Sequence, residues 1–180
     1  ELGSIKIDKE ERAKMLKTIP RTSIIGFLIG VLPGAGATIA SFLAYGMERN
    51  LVSDKEKEKF GKGSVHGLTA PETANNAACS GAFVPLLTLG IPGSGTTAVM
   101  LGALLGFGIQ PGPRLYVTNP EIFWSVIMSM YIGMVILLIL NLPLIPYIAR
   151  ILAVPKNYLI PLILFFSITG IYVMSFNNFD

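Results

Sequence analysis

The sequence predicts an all-α polytopic membrane protein, built from broken or re-entrant helix hairpins plus transmembrane helices. Three observations predict it. The 180 residues are 52% apolar and only 14% charged, with a mean hydropathy of +0.62, whereas a soluble domain carries about 25% charged residues. Several apolar stretches approach the roughly 20 residues that cross a bilayer as helix. They run continuously and do not alternate with period two, which argues against a barrel. Finally, Leu32-Pro33-Gly34-Ala35-Gly36-Ala37-Thr38 is repeated as Ile91-Pro92-Gly93-Ser94-Gly95-Thr96-Thr97, and each copy interrupts an apolar run. Proline cannot continue the helix before it, and glycine accepts dihedrals that other residues resist. Each motif therefore predicts an unwound segment between two half-helices.

Residues 1–180 read as one transmembrane domain fragment. Residues 1–21 hold six Lys/Arg and four acids, and Ala13, Met15 and Leu16 allow a short amphipathic helix at the membrane surface or a solvated loop with a helical turn. Residues 22–47 form the first broken element, with arms at about 22–31 and 37–47 that are each too short to cross a hydrocarbon core of about 30 Å. Its flanks, 1–21 and 48–63, carry six and five Lys/Arg. Both therefore favour the cytoplasmic side, and a hairpin satisfies both where a single crossing would not. The alternating charges of 48–63 predict a solvated helical face or loop.

Residues 64–109 contain the second broken element, with apolar arms at about 74–89 and 96–109 and a kink expected at Pro85. As one helix, 73–109 would reach on the order of 55 Å, too long for a single straight span. Gln110-Pro111-Gly112-Pro113-Arg114 ends the element. Asn119-Pro120-Glu121 reads as a helix start, with Asn as cap and Pro at the first position. Scaffold helices follow over 121–175. The first runs to about Leu142 with Trp124 as an interfacial anchor, Pro143 and Pro146 kink or break the chain, and Tyr147–Ala153 lies along the surface with Arg150 toward headgroups. The last span covers about 157–175. The start at Glu1 and the stop just after an apolar run lead us to expect an internal piece of a larger polytopic protein.

Charge and cysteine content narrow the function. A net charge of +3, concentrated in short polar segments, fits cytoplasmic loops and no nucleic-acid patch. The single cysteine, Cys79, removes a disulfide framework and reads as a small packing residue. No metal or cofactor site is expected. Gly93-Ser94-Gly95-Thr96-Thr97-Ala98 matches a dinucleotide fingerprint, but the flanks are bilayer-like and no acid follows at the required distance. A P-loop fails because no Lys follows either motif.

The chemistry left is anion recognition. A helix N-terminus offers unpaired N–H groups and the positive end of its dipole, and broken helices in repeated positions point to a transport site. Pro33, Gly34, Ala35, Gly36 and Thr38, with Pro92, Gly93, Ser94, Gly95, Thr96 and Thr97, are the candidate substrate-binding residues. They need no buried Arg or Lys, and neither broken element contains one. The bland alternative makes both motifs packing turns with threonine caps. In Ala70-Pro71-Glu72-Thr73-Ala74-Asn75-Asn76, Pro71 suits a first helical position, so Glu72 would open a helix with Asn76 on its face and Asn75 beside them. Glu72, Asn75 and Asn76 are the candidate ion-coupling residues, for a proton or Na⁺; otherwise Glu72 sits on a helix dipole and the asparagines tie helices together. His66 reads as an interfacial residue.

These segments, with Pro85-Leu86-Leu87-Thr88-Leu89-Gly90-Ile91-Pro92-Gly93 and Gln110-Pro111-Gly112-Pro113, closely resemble the large membrane subunit of tripartite tricarboxylate transporters, the TctA family. The resemblance covers nearly the whole chain; Thr73 departs from it mildly, where a small residue such as Ala is expected. It implies a multi-pass protein of the bacterial inner membrane, a secondary transporter driven by an ion gradient, and no enzyme. It also implies a citrate-like carboxylate substrate, a small TctB-like membrane subunit and a TctC-like periplasmic binding protein. A channel or structural membrane subunit is the rival reading. A membrane enzyme acting on an anionic lipid is a second rival, and it lacks the clustered Asp, His or Arg that it would need.

Overall fold

A computed structural model describes residues 7–149 and 155–174. The described residues are helical with no strand, and they fall into two units, one over 7–127 and one over the described residues from 128 to 174. In the first unit α1 (Lys9–Val31), α2 (Gly36–Leu51) and α4 (Val65–Gly81) pack side by side. The short α3 (Asp54–Lys57) joins α2 to α4, and α5 (Phe83–Leu89), α6 (Gly95–Gly106) and α7 (Leu115–Thr118) follow.

The amphipathic segment and the first arm are one helix. Asp8 caps α1 in a capping box with Glu11, which satisfies two orphan donors reciprocally. The helix then runs through Pro20 without a boundary at residue 22. At Leu32–Ala35 the chain turns, with Gly34 at φ 84° and Gly36 at φ 70°, in the left-handed region that suits glycine. The helix that leaves turns back. Glu48 of α2 reaches Arg21 and Thr18 of α1, so the first broken element is a hairpin.

What locks the bundle is a stripe of small residues at every fourth position. Buried Thr18, Thr22, Gly26 and Gly30 of α1 lie on His66, Ala70, Ala74 and Ala78 of α4, in parallel and with one constant register. A Cβ at Gly26 would sit 2.6 Å from the Ala74 Cα, and one at Gly30 would sit 2.6 Å from the Ala78 Cα. Ala40, Ala44 and Glu48 bring α2 antiparallel onto the same two helices. Large apolar side chains such as Phe27, Leu28, Phe42 and Leu43 point outward. This inverts the soluble pattern and follows the small-residue packing of helices in lipid.

Several sequence expectations are corrected. Pro71 does not open a helix: Ser64 caps α4 by accepting from the Gly67 N–H, so Pro71 and Glu72 lie inside it. Residues 48–51 belong to α2, and Glu48 is fully buried, not solvated. The first arm of the second element begins at Val65 and is split at Ala82, next to the expected Pro85 kink. Pro85 cannot donate to residue 81 and its ring crowds that carbonyl, so Pro85 falls in the first turn of α5. Gly90, at φ 71°, ends α5, with the Gly90 N–H donating to the Leu86 carbonyl and the Ile91 N–H to the Pro85 carbonyl. The helix after the second break, α6, does not pack along α4.

The start at Pro120 is as expected, and Trp124 stacks edge-on with Phe123. In α8 (Pro120–Ala149), however, Pro143 and Pro146 do not break the chain, and Tyr147–Ala149 continues the helix. Each proline forfeits one backbone bond, which a long apolar helix tolerates. Arg150 and residues 151–153, like 1–6 and 175–180, lie outside the described residues. The second unit comprises the rest of α8 and α9 (Lys156–Met174). Pro120–Ile145, 26 residues long, is the one described helix long and apolar enough to cross a membrane; Asn157–Val173 is apolar but shorter.

The packing makes a prediction. Gly30→Leu should force α1 off α4 at a cost of about 3 kcal/mol or more. Gly46→Ala, where nothing lies within 4 Å of the added carbon, should gain up to about 1 kcal/mol from helix propensity. Thermal unfolding of the detergent-solubilised protein checks both, and equal melting temperatures would contradict the interlock.

Candidate functional site

Because α1 and α4 run parallel, the ends of both reach the same side of the bundle. Gly81 lies against the Phe27 carbonyl and the Val31 N–H, and buried Gly93 lies against Ala82 and the Gly30 carbonyl. The two repeated motifs, distant in sequence, therefore border one cleft of about 710 Å³. Gly34, Gly36 and Thr38 line it from the first motif, and Pro92, Gly93, Ser94, Gly95, Thr96 and Thr97 from the second. Pro33 and Ala35 belong to the first turn but do not line the cleft. Cys79 and Phe83 do line it, and Cys79 is exposed rather than packed. Neither was legible in the sequence, because the placement of Cys79 depends on the rotation of α4 and that of Phe83 on α5.

The two helix starts differ. Ser94 caps α6 in a reciprocal box: its hydroxyl accepts from the Thr97 N–H, and the Thr97 hydroxyl accepts from the Ser94 N–H at 2.8 Å. Thr97 is buried and occupied there, which is the local cap of the bland reading. No side chain caps α2, whose cap position is Ala35, so its first N–H groups keep their capacity for a ligand. Thr38 and Thr96 are exposed on the cleft with hydroxyls that make no hydrogen bond among the described residues.

The candidate ion-coupling residues separate. Glu72 and Asn76 share an exposed face, where the Asn76 amide donates to the backbone carbonyl of Glu72 at 2.9 Å, not to its carboxylate. Asn75 turns the other way and donates to the Ser41 hydroxyl of α2 at 3.3 Å, while Ser41 donates to the Pro71 carbonyl. Asn75 thus ties two helices. Among the described residues no group of three or more His, Cys, Asp or Glu could hold a metal.

At the opposite end of the bundle, the structure assembles a buried cluster that no motif announced. Glu48 Oε2 accepts from Arg21 Nε at 2.7 Å; Oε1 accepts from Arg21 Nη2, from Thr18 Oγ1 at 2.9 Å and from His66 Nδ1 at 2.9 Å. Glu48 is wholly buried, so His66 is a packed residue and not an interfacial one. His66 Nδ1 lies 2.8 Å from Thr18 Oγ1 and 2.9 Å from Glu48 Oε1; a hydrogen bond to an ionised carboxylate, which only accepts, requires the proton on Nδ1. Burial pushes the Glu48 carboxyl up, but the Arg21 and Thr18 hydrogen bonds, the Arg21 charge and the His66 bond hold it below its ordinary value. The spacing of four from Thr18 to Gly30, from Ala40 to Glu48 and from His66 to Ala78 was the signal that could have found it. Outside this cluster, Lys14 pairs with Glu10 and Glu56, and Lys59 with Glu56, tying α3 to α1.

Two consequences are measurable. Arg21→Met leaves a buried charge short of its main partner and should cost about 3 kcal/mol, the low end for such losses because Thr18 and His66 remain. The Glu48 carboxyl titrates lower in the folded protein than its ordinary 4.5. Its stabilisation is therefore complete above that pH and is lost as pH falls through the folded value. Melting temperature against pH should show an acid decline that Glu48→Gln flattens; parallel curves would contradict it.

No solved structure matches the chain. It is 43% identical over 174 residues to an uncharacterized 52.8 kDa protein in the TAR-I ttuC' 3' region of Agrobacterium vitis, covering 97% of this chain and 34% of that one. It is 46% identical over 155 residues to an uncharacterized protein in the TAR-II ttuC' 3' region of the same organism, covering 86% of this chain and 63% of the relative. The chain thus spans between a third and two thirds of the length of these relatives. Residues 1–180 match the description "Tripartite tricarboxylate transporter TctA family" throughout, and the chain belongs to that family.

Proposed function

We propose that this chain is part of the permease subunit of an ion-gradient-driven uptake transporter for a citrate-like tricarboxylate in the bacterial inner membrane. A small TctB-like membrane subunit and a TctC-like periplasmic protein complete the system. The observation that carries the reading is the convergence of both repeated glycine-proline motifs on one cleft. Its volume of about 710 Å³ lies within the range of small-molecule sites. A tricarboxylate placed there meets the uncapped start of α2, the N–H groups of Gly95 and Thr96, and the hydroxyls of Thr38 and Thr96. Backbone donors and helix dipoles select an anion without a buried lysine or arginine. The coupling ion is Na⁺ or a proton. Glu72 is the ionisable residue on the α4 face, with Asn76 beside it, while Asn75 holds α2 to α4 near the cleft.

Radiolabelled citrate uptake by the full-length complex in vesicles tests the reading. The double variant Thr38→Val with Thr96→Val should raise KM roughly tenfold or more, the loss expected for hydrogen bonds to a charged ligand, at an unchanged membrane level. Glu72→Ala should abolish the gradient-dependent component while the protein still inserts. Uptake that ignores both variants, or that neither saturates nor responds to Na⁺ and proton gradients, would sink the proposal in favour of a channel or structural subunit.

A further inference from the structure

Helix N-termini attract anions of every kind: unpaired N–H groups and a positive dipole end serve phosphate or sulfate as well as a carboxylate. The hydroxyls of Thr38 and Thr96 are equally indifferent donors. The polar part of the cleft draws an anion in but does not sort one anion from another. A different chemistry comes from the end of α4 and the start of α5, as Cys79 and Phe83. A thiol is a weak donor and a phenyl ring is none. The other described residues of the lining are Gly, Ala, Pro, Ser and Thr, so Phe83 is the one large side chain among them. Its backbone is held on both sides. Pro85 falls in the first turn of α5, and Phe83 opens that helix directly after Ala82. Ala82 is 5% exposed and touches the space beside Gly93, the buried glycine of the second motif. Pro85, Leu86 and Leu87 are buried in the turn that follows. Phe83 is accordingly half-buried, whereas Phe42 and Phe107 stand 73% and 82% exposed.

We propose that Phe83 is the specificity-determining residue of the cleft: it selects an organic polyacid, whose carbon skeleton lies on the ring, over inorganic oxyanions. The inference rests on the reading of the cleft as a carboxylate site. A phosphate or sulfate at a helix start gains nothing from the ring. Pressed against it, an oxygen loses water and finds no donor in return, and the negative face of the ring repels it. A tricarboxylate keeps its charges apart. Its carboxylates meet the helix starts while its methylene carbons cover the ring and leave water. The two helix starts thus supply the pull on charge, and Phe83 decides which anion profits from it.

The test reads occupancy of the cleft through Cys79, which is exposed on it. In the full-length complex, with any other cysteine replaced by serine, the rate of maleimide labelling at Cys79 is followed against rising propane-1,2,3-tricarboxylate and, separately, inorganic phosphate. In the parent protein the tricarboxylate should protect at a concentration at least about tenfold below that of phosphate. Phe83→Ala should narrow this ratio roughly tenfold or more, the discrimination that one methylene makes in an apolar pocket, by weakening the tricarboxylate alone. Thr38→Val with Thr96→Val should weaken both anions and keep the ratio. A labelling rate without anion equal to the parent's shows that the cleft is intact. If Phe83→Ala does not fold, Phe83→Gln, which keeps bulk but offers an amide to an oxyanion, should narrow the ratio as well. A parent ratio near one, or a ratio unchanged in the folded variant, overturns the role of Phe83 and leaves the carboxylate reading standing. A parent protein that the tricarboxylate does not protect overturns that reading, and this inference with it.

Discussion

The close approach of α1 to α4 is the constraint on which the rest of the first unit depends. Glycine at 26 and 30 lets the two backbones meet where any side chain would collide with Ala74 or Ala78. Such contact gains little from burying apolar surface, since the buried residues are Ala, Gly and Thr. It gains from dispersion between closely fitted backbones, which is the attraction left to helices when the solvent is as apolar as their side chains. The outward-facing Phe27, Leu28, Phe42 and Leu43 complete that pattern. A helix pair locked this way has one register, and the register sets what stands at each end.

At one end the register brings the two glycine-proline motifs together. Gly93 is buried against the close of α1, so the second loop is fitted to the bundle and does not hang free of it. The first loop takes its shape from left-handed glycines at 34 and 36. The symmetry of the motifs is incomplete in three dimensions. The first belongs to a hairpin whose arms pack together; the second separates α5 from a helix that leaves the bundle. Their helix starts differ accordingly, one sealed by its own serine and threonine and the other without a side-chain cap.

At the other end the same register buries a charge. Glu48 follows Ala40 and Ala44 on the inward stripe of α2, so helix geometry alone carries it into the interface. Burying a carboxylate is costly unless it is paired and hydrogen-bonded. Four donors from Arg21, Thr18 and His66 meet that requirement, and no described side-chain polar atom is left buried without a partner. Three helices are joined there through one side chain. Alanine contacts make the shaft of the bundle, and a single carboxylate fixes the spread of its open end.

The sequence by itself determined what local chemistry dictates. Proline and glycine forced the breaks at 32–35 and 90–94, Asn119-Pro120 set the start of α8, and composition with the long motifs identified the family. These features need no distant partner. Backbone sterics, capping and hydropathy act within a few residues. Only the tertiary structure decided that the first break is a hairpin, that both motifs share a cleft, and that Glu48 and His66 are buried together while Glu72 is exposed. Each of these depends on which face of a helix meets which neighbour. The charge run at 48–63 looked solvated because its composition is polar, and 49–63 is exposed or half-buried; only Glu48 turns inward, because burial is set by rotation about the helix axis. Likewise Pro71 looked like a helix start because proline favours one, until packing along α4 carried the helix through it.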